Sequence, residues 1–580
     1  MRALVPLLLL FALPGQAQPW LVAVAPDLPG PGPGDEGFAV AGPPGGMDLG
    51  GYRVTDGEGA YTFPPGTTAD AVRWVWVTGN GTAWKSHAGP PALRWDADHT
   101  GRFGLANDGE GLELLDAQGL ALDAFAWGDG QVDGMHGSVR FTSPGIVYER
   151  RRDGDGFLDT DSPEDWATPR LHRIGESGLD QPTFHVQRLT LYSSPDSSFE
   201  VLTGLIAGAR ERLHLHVYEL RSPALVDALV AAKAAHPRLD LQLLAEGHPV
   251  GIESDERHAT ADALRRIQEA GGTVVLADGG RYRYHHLKVL VADGAVAVQS
   301  ENWVEAGVPE EPTWGNRGWG AVVHDRAAAD WFAAWMAADR AAWDVEPFDL
   351  AAFDPLFEPP PRYPPRTGGY GPVVPALTLE GDFLVTPVVA PDHTADPADD
   401  LVAHLAATAR RRLWVEQLDL AVEGQNRLGW TGADPLLAAA VEAERRSADV
   451  RILAASPFSA DDRGNADALA WLAERGVAAR FLDRPGIATL HNKGLVADDA
   501  VVLGSLNANH ASRSDNREVS LILQGPGVAD PFASLFSQDW GEAEPPRDFA
   551  VIRDDLRGLP AAPWPTLLAL PLVASLLSRR

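Results

Sequence analysis

LHNKGLVADDAVVLGSLN, residues 490–507, holds one of only four lysines in a chain of 580 residues; the others are Lys85, Lys233 and Lys288. His491 stands two residues before Lys493, and Asp498 five after it. The stretch HHLKVLVADGAVAVQSENW, residues 285–303, repeats the pattern 205 residues earlier with His286, Lys288 and Asp293. With 17 histidines, four lysines and at most 80 acidic residues, chance supplies about 0.02 copies of H-x-K-x4-D. Two copies that use half of the lysines are not coincidence.

The surroundings of the two copies match as well. RLHLHVYEL (212–220) and RLWVEQLDL (412–420) both read as strands. Each is followed by an apolar-periodic helix, a second strand (LDLQLLAE, DVRILAAS) and a second helix. The chain therefore carries an internally duplicated α/β unit, one copy at 191–350 and one at 376–545, with the proline-rich segment 351–375 between them.

On a strand, residues i and i+2 share a face, so His286 projects with Lys288 and His491 with Lys493. A returning strand brings Ser300 and Asn302, or Ser505 and Asn507. A turn of about three residues would set each asparagine opposite its histidine and each serine opposite its lysine. Asp293 and Asp498 lie beside the turns and are expected to brace them. Imidazole, ammonium, amide and hydroxyl groups on one surface suit a phosphoryl group. Histidine can attack or donate a proton there, and lysine can neutralise non-bridging oxygens. No metal-ligand cluster is evident, so the lysines would supply the charge and no metal or other cofactor is expected.

The duplicated motif, each copy followed by Ser-x-Asn, resembles the phospholipase D superfamily over about residues 195–545. The resemblance implies two α/β domains packed face to face around one pseudo-symmetric site, an internal pseudo-dimer within a monomer. It implies the catalytic set His286, Lys288, Asp293, His491, Lys493 and Asp498, with His286 as nucleophile and His491 as acid/base. Asn302 and Asn507 would bind phosphate oxygens, supported by Ser300, Ser505 and Glu518. The copies differ: Gly318 stands where the second has Glu518. That difference is expected to leave His286 less well oriented, unless an acid such as Glu301 substitutes. His285 should face away from the site. Trp303, Trp314 and Trp319 either wall a leaving-group pocket or pack in the core.

Residues 18–146 are rich in Gly, Pro and short alternating apolar runs, which reads as a β-sandwich. DLGGYRVTDGEGAYTFPPGT (48–67) and GLANDGEGLELLDAQGLALDAFAWG (104–128) resemble the lamin-tail domain, an immunoglobulin-like sandwich that implies an interaction module and an unknown surface partner. Asp153, Asp155, Asp159 and Asp161 do not keep EF-hand spacing, so 147–190 reads as an acidic linker. MRALVPLLLLFALPGQA (1–17) has the form of a secretory signal peptide. The apolar tail at 559–580 ends in two arginines and reads as a short anchor or a processed sorting signal. An extracellular or cell-surface location follows as an expectation.

There is no cysteine, which excludes disulfides, thiolate metal sites and cysteine nucleophiles. The formal charge of −32 repels polyanions at long range and disfavours a nucleic-acid partner. The reading is an exported phosphodiesterase acting on phospholipid at a membrane surface. An extracellular nuclease, a phospholipid synthase and a catalytically impaired surface-binding protein are the alternatives.

Overall fold

The computed structural model describes residues 18–543 apart from 28–35, 72–73, 80–91, 96–98, 140–146, 154–155, 167–178, 180, 280–281, 343, 372, 396–399, 425–431 and 457–462. The leader at 1–17, the tail at 559–580 and Asp155 therefore lie outside the described residues.

The N-terminal part is a β-sandwich of two five-stranded sheets. Its core includes Phe38 stacked on Trp95, and Phe125 packed against Trp127, Tyr148 and Trp166. Residues 147–166 are not a free linker, because Tyr148–Glu149 pairs with the first strand of the sandwich and Arg150 is buried against Asp123. Burying Tyr148 and Trp166 in the aromatic core outweighs the solvation of the few acids between them.

The remainder is built on one 16-stranded mixed sheet. The first half contributes β1 (Phe184–Ser194), β2 (Arg212–Val217), β3 (Asp240–Glu246), β4 (Thr273–Ala277), β5 (Lys288–Ala292), β6 (Ala295–Gln299), β7 (Gly315–Val323) and β8 (Val345–Pro347). The second contributes β9 (Leu377–Ala390), β10 (Arg412–Gln417), β11 (Asp449–Ala455), β12 (Ala478–Leu482), β13 (Ile487–Leu490), β14 (Lys493–Ala497), β15 (Ala500–Gly504) and β16 (Glu518–Gln524). The order β8-β4-β3-β2-β5-β6-β7-β1 continues as β9-β16-β15-β14-β10-β11-β12, and β13 pairs with β7. Equivalent strands β1 and β9 pair antiparallel at the centre, which makes the halves related by a pseudo-twofold.

Helices begin where the sequence signals them. Ser222 caps Pro223–Ala235 by accepting from the Leu225 amide, and Asp434 caps Pro435–Arg445 by accepting from Leu436, each with proline in the first helical position. Helices α1 (Arg326–Arg340) and α2 (Ala529–Glu542) carry one acid each, Asp339 and Asp539, into the junction between the halves.

At that junction two arginines are completely buried. Arg317 Nε donates to Asp539 at 2.6 Å and Arg317 Nη1 to Asp196 at 2.8 Å. Arg517 repeats this, with Nε donating to Asp339 at 3.0 Å and Nη1 to Asp392 at 2.5 Å. Each arginine thus binds one acid of its own half and one of the other. Tyr370, in the proline-rich segment, accepts from Arg317 Nη2 and donates to Asp196, so this segment is pinned to the junction.

Deleting one member of a buried ion pair leaves its partner charged and dry, which costs about 3–5 kcal/mol. Asp539→Ala and Asp339→Ala are each expected to lower the stability of the α/β body by about that amount, read as a shift in denaturant midpoint. An unshifted midpoint in both variants would show that the arginines do not hold the halves together.

Candidate active site

Each motif hairpin closes with a two-residue turn. Ala292 pairs with Ala295 across Asp293-Gly294, and Ala497 with Ala500 across Asp498-Asp499. The aspartates sit at φ 48° and 51°, in the left-handed region that Asp tolerates. The Asp293 carboxylate accepts from the amides of Arg210, Glu211 and Arg212, and Asp498 accepts from Arg410, Arg411 and Arg412. These bonds hold both carboxyls below the ordinary range against the opposing effect of burial. Five strand residues separate each aspartate from its histidine's end of the hairpin, about 16 Å. Asp293 and Asp498 therefore brace the turns and lie away from the reacting groups.

The tight turns also correct the register. A three-residue turn predicts Val289 opposite Gln299 and Leu495 opposite Leu503; the observed partners are Val298 and Val502. A one-residue slip reverses the faces. Ser300 and Ser505 accordingly do not face the lysines. Ser300 Oγ accepts from the Trp319 amide, and Ser505 Oγ accepts from the Val519 amide, joining neighbouring strands. Asn302 Nδ2 donates to Glu219 Oε1 at 3.1 Å, and the Asn302 and Asn507 side chains are mostly buried beside the hairpins.

The two motifs converge because each hairpin is hydrogen-bonded to the opposite half. The His286 amide donates to Arg517 O and the His491 amide to Arg317 O, both at 2.9 Å. The arginines that hold the junction therefore also seat the histidines. Each imidazole then meets a carboxylate of the other half. His286 Nδ1 donates to Glu518 Oε2 at 2.8 Å, and His491 Nδ1 lies 3.4 Å from Glu301 Oε1. The imidazole side chains are only 13% and 14% exposed, a narrow window to solvent. Gly318 does not disable His286 as expected: His286 is served by Glu518, and position 318 bears on His491.

Lys288 Nζ donates to His286 O at 2.9 Å and lies over the Tyr218 ring. Lys493 Nζ donates to His491 O at 2.7 Å and lies 3.1 Å from His491 Nδ1. Burial dominates the acid–base behaviour of this quartet. It pushes His286 down to about 4, although Glu518 opposes it, and lowers His491, with Lys493 adding to the effect. It lowers Lys288 well below the usual ammonium range and Lys493 to about 8. Burial thus disfavours the charged form of both rings. The site has a dense set of donors held dry, ready for an anion.

Three neighbouring features clarify what else surrounds it. His285 is fully buried, its amide donating to Glu246 and its ring against Tyr282, consistent with a structural residue. Trp303 and Trp319 are core residues, and Trp314 stacks under Arg366, so the three do not wall a pocket. Tyr218, unmatched in the second half where Leu418 stands, packs edge-on to His286 with centroids 4.7 Å apart. Arg317 and Arg517 were not singled out from sequence, although the repeated Asn-Arg at 316–317 and 516–517 is a signal that could have found them.

Residues 428–540 match the family model described as "Cardiolipin synthase, PLD-like domain". That match places residues 428–540 in the phospholipase D superfamily, and residues 286–302 repeat the histidine–lysine hairpin that the matched segment contains. Among solved structures it is similar to phosphatidylserine synthase from Haemophilus influenzae Rd KW20 at 13% identity and TM-score 0.47, covering 64% of this chain and 91% of that one. It is also similar to Nuc, a phospholipase D family member from Salmonella typhimurium, at 18% identity and TM-score 0.23, covering 29% of this chain and 99% of that one. Polyphosphate kinase from Porphyromonas gingivalis is similar at 10% identity and TM-score 0.35, over 65% of this chain and 55% of that one. No curated protein matches the chain.

Gly494 follows the second lysine, and a Cβ there would lie 2.5 Å from the Trp319 ring. Gly494→Ala is expected to destabilise the protein by about 1–3 kcal/mol through overpacking, read by chemical denaturation. Trp319→Leu in the same chain should recover part of the loss.

Proposed function

We propose that the chain is a phosphodiesterase that works through a phosphohistidine and hydrolyses phospholipid. The observation that carries this reading is the crossed pairing of two largely buried imidazoles with carboxylates of the opposite half, with two buried lysines beside them. His286 Nδ1–H is engaged by Glu518, which leaves the Nε2 lone pair to attack phosphorus. As the N–P bond forms, the bond to the leaving alkoxide breaks, and His491, entering the step as the imidazolium, gives that oxygen its proton and becomes neutral. Water then gives a proton to His491 and attacks phosphorus; the N–P bond breaks and its electron pair returns to His286. Lys288 and Lys493 neutralise the non-bridging oxygens, and Asn302 and Asn507 would serve as further amide donors.

Phospholipid is favoured over nucleic acid by the charge of −32, which repels a polyanion more than a single phosphodiester. The sequence match to a phospholipid-synthase family supports the same substrate class, and it supports transfer to an alcohol in place of water as a second reading. Export is part of the proposal and rests on the leader-like residues 1–17. The lamin-tail resemblance supports a surface-docking role for the N-terminal sandwich.

His286→Ala is expected to abolish both turnover and phosphoenzyme trapping; a variant with normal turnover would sink the assignment. Head-group release assayed beside single-stranded DNA cleavage, with glycerol as a competing acceptor, separates lipid hydrolase, nuclease and transferase.

The pH dependence has a defined sign. Attack needs unprotonated His286, so kcat/KM should climb as pH rises through about 4. The proton on His491, whose affinity burial lowers, and then the charge on Lys493, through about 8, are lost as pH rises, so kcat/KM should fall on the alkaline side. A profile flat between pH 3 and 9 would exclude both assignments.

A further inference from the structure

The two halves each lend a carboxylate to the other's histidine, but from different places in the chain. In the second half it is Glu518, directly after Arg517; the matching residue after Arg317 is Gly318. In the first half it is Glu301, between Ser300 and Asn302; the matching residue between Ser505 and Asn507 is Leu506. The two positions have exchanged their acid. A Cβ at Gly318 would lie 2.0 Å from Glu301 Oε1 and 2.6 Å from its Cγ, so the Glu301 carboxylate fills the volume that a side chain at 318 would enter. The holders match too. Asn316 Nδ2 donates to Glu301 Oε2 at 3.1 Å, as Asn516 Nδ2 donates to Glu518 Oε1 at 3.0 Å. Both carboxylates are buried.

We propose that Glu301 is the positioning carboxylate of His491, relocated to position 301 and made possible by glycine at 318. The relocation has a chemical consequence. Glu301 Oε1 lies 3.4 Å from His491 Nδ1, so a proton on that nitrogen has a carboxylate to receive it. His286 Nδ1 meets Glu518, and Lys288 Nζ donates to the His286 carbonyl. A protonated His491 can therefore hold one proton on Glu301 and present the other, at Nε2, to the leaving oxygen. The pairing is geometric; only the direction of proton flow rests on the proposed phosphodiester chemistry.

The test uses the full chain with ring-nitrogen NMR of histidine beside steady-state kinetics. Glu301→Gln keeps the side-chain volume while removing the charge. It should move the His491 titration to lower pH, leave that of His286 in place, and reduce kcat about 10- to 100-fold with KM little changed. Glu301→Leu should lose activity similarly. Adding Gly318→Glu to it restores the pattern of the second half and should recover most of the titration and turnover; Gly318 does not need left-handed backbone. An unmoved His491 titration in Glu301→Gln, or a double variant no better than Glu301→Leu at an equal unfolding midpoint, overturns the proposal. If the titration moves and is restored while even the unmodified chain cleaves no phosphodiester, the pairing stands and the enzymatic reading falls.

Discussion

Arg317 and Arg517 are the constraint on which the α/β body depends. Each is fully buried and needs two acids to stay charged there, and neither half contains both. A half on its own would expose or strand a guanidinium, so the ion pairs are satisfied only when the two copies are docked. Because the carbonyls of the same two arginines accept from the motif histidines, the docking that satisfies the charges also assembles the site. Buried ion pairs are weak sources of net stability, but they specify geometry where a greasy interface could slide.

The site gains reactivity from the same burial. Removing water from two lysines and two histidines raises the cost of their charges, which makes both rings harder to protonate and brings Lys493 down to about 8. Glu518 and Glu301 offset part of that cost and orient the rings. A phosphodiester anion entering this space meets donors that are already in place and only partly charged-compensated, so its negative charge completes the balance.

Much of the architecture was legible in residue order. The 205-residue repeat, the paired histidines and lysines and the sandwich with its turn-rich strands follow from local patterns that every strand or helix must display. Hairpin register is not legible at this level, because a turn of three residues and the observed turn of two differ by one residue, and one residue is enough to reverse a face. The stretch from Tyr148 to Trp166 looked like a linker because its acids are conspicuous, while its two buried aromatics decide where it goes.

The sequence by itself determined that this chain carries two copies of one α/β unit and which histidines and lysines recur in both, because periodicity and motif spacing are local properties. Only the tertiary structure decided which carboxylate serves which histidine. Glu301 and Glu518 each act across the junction, at sequence separations of 190 and 232 residues, and no spacing rule links them to their rings. That Gly318 is room for Glu301, and not a lost acid, could be read only from the volume the two share.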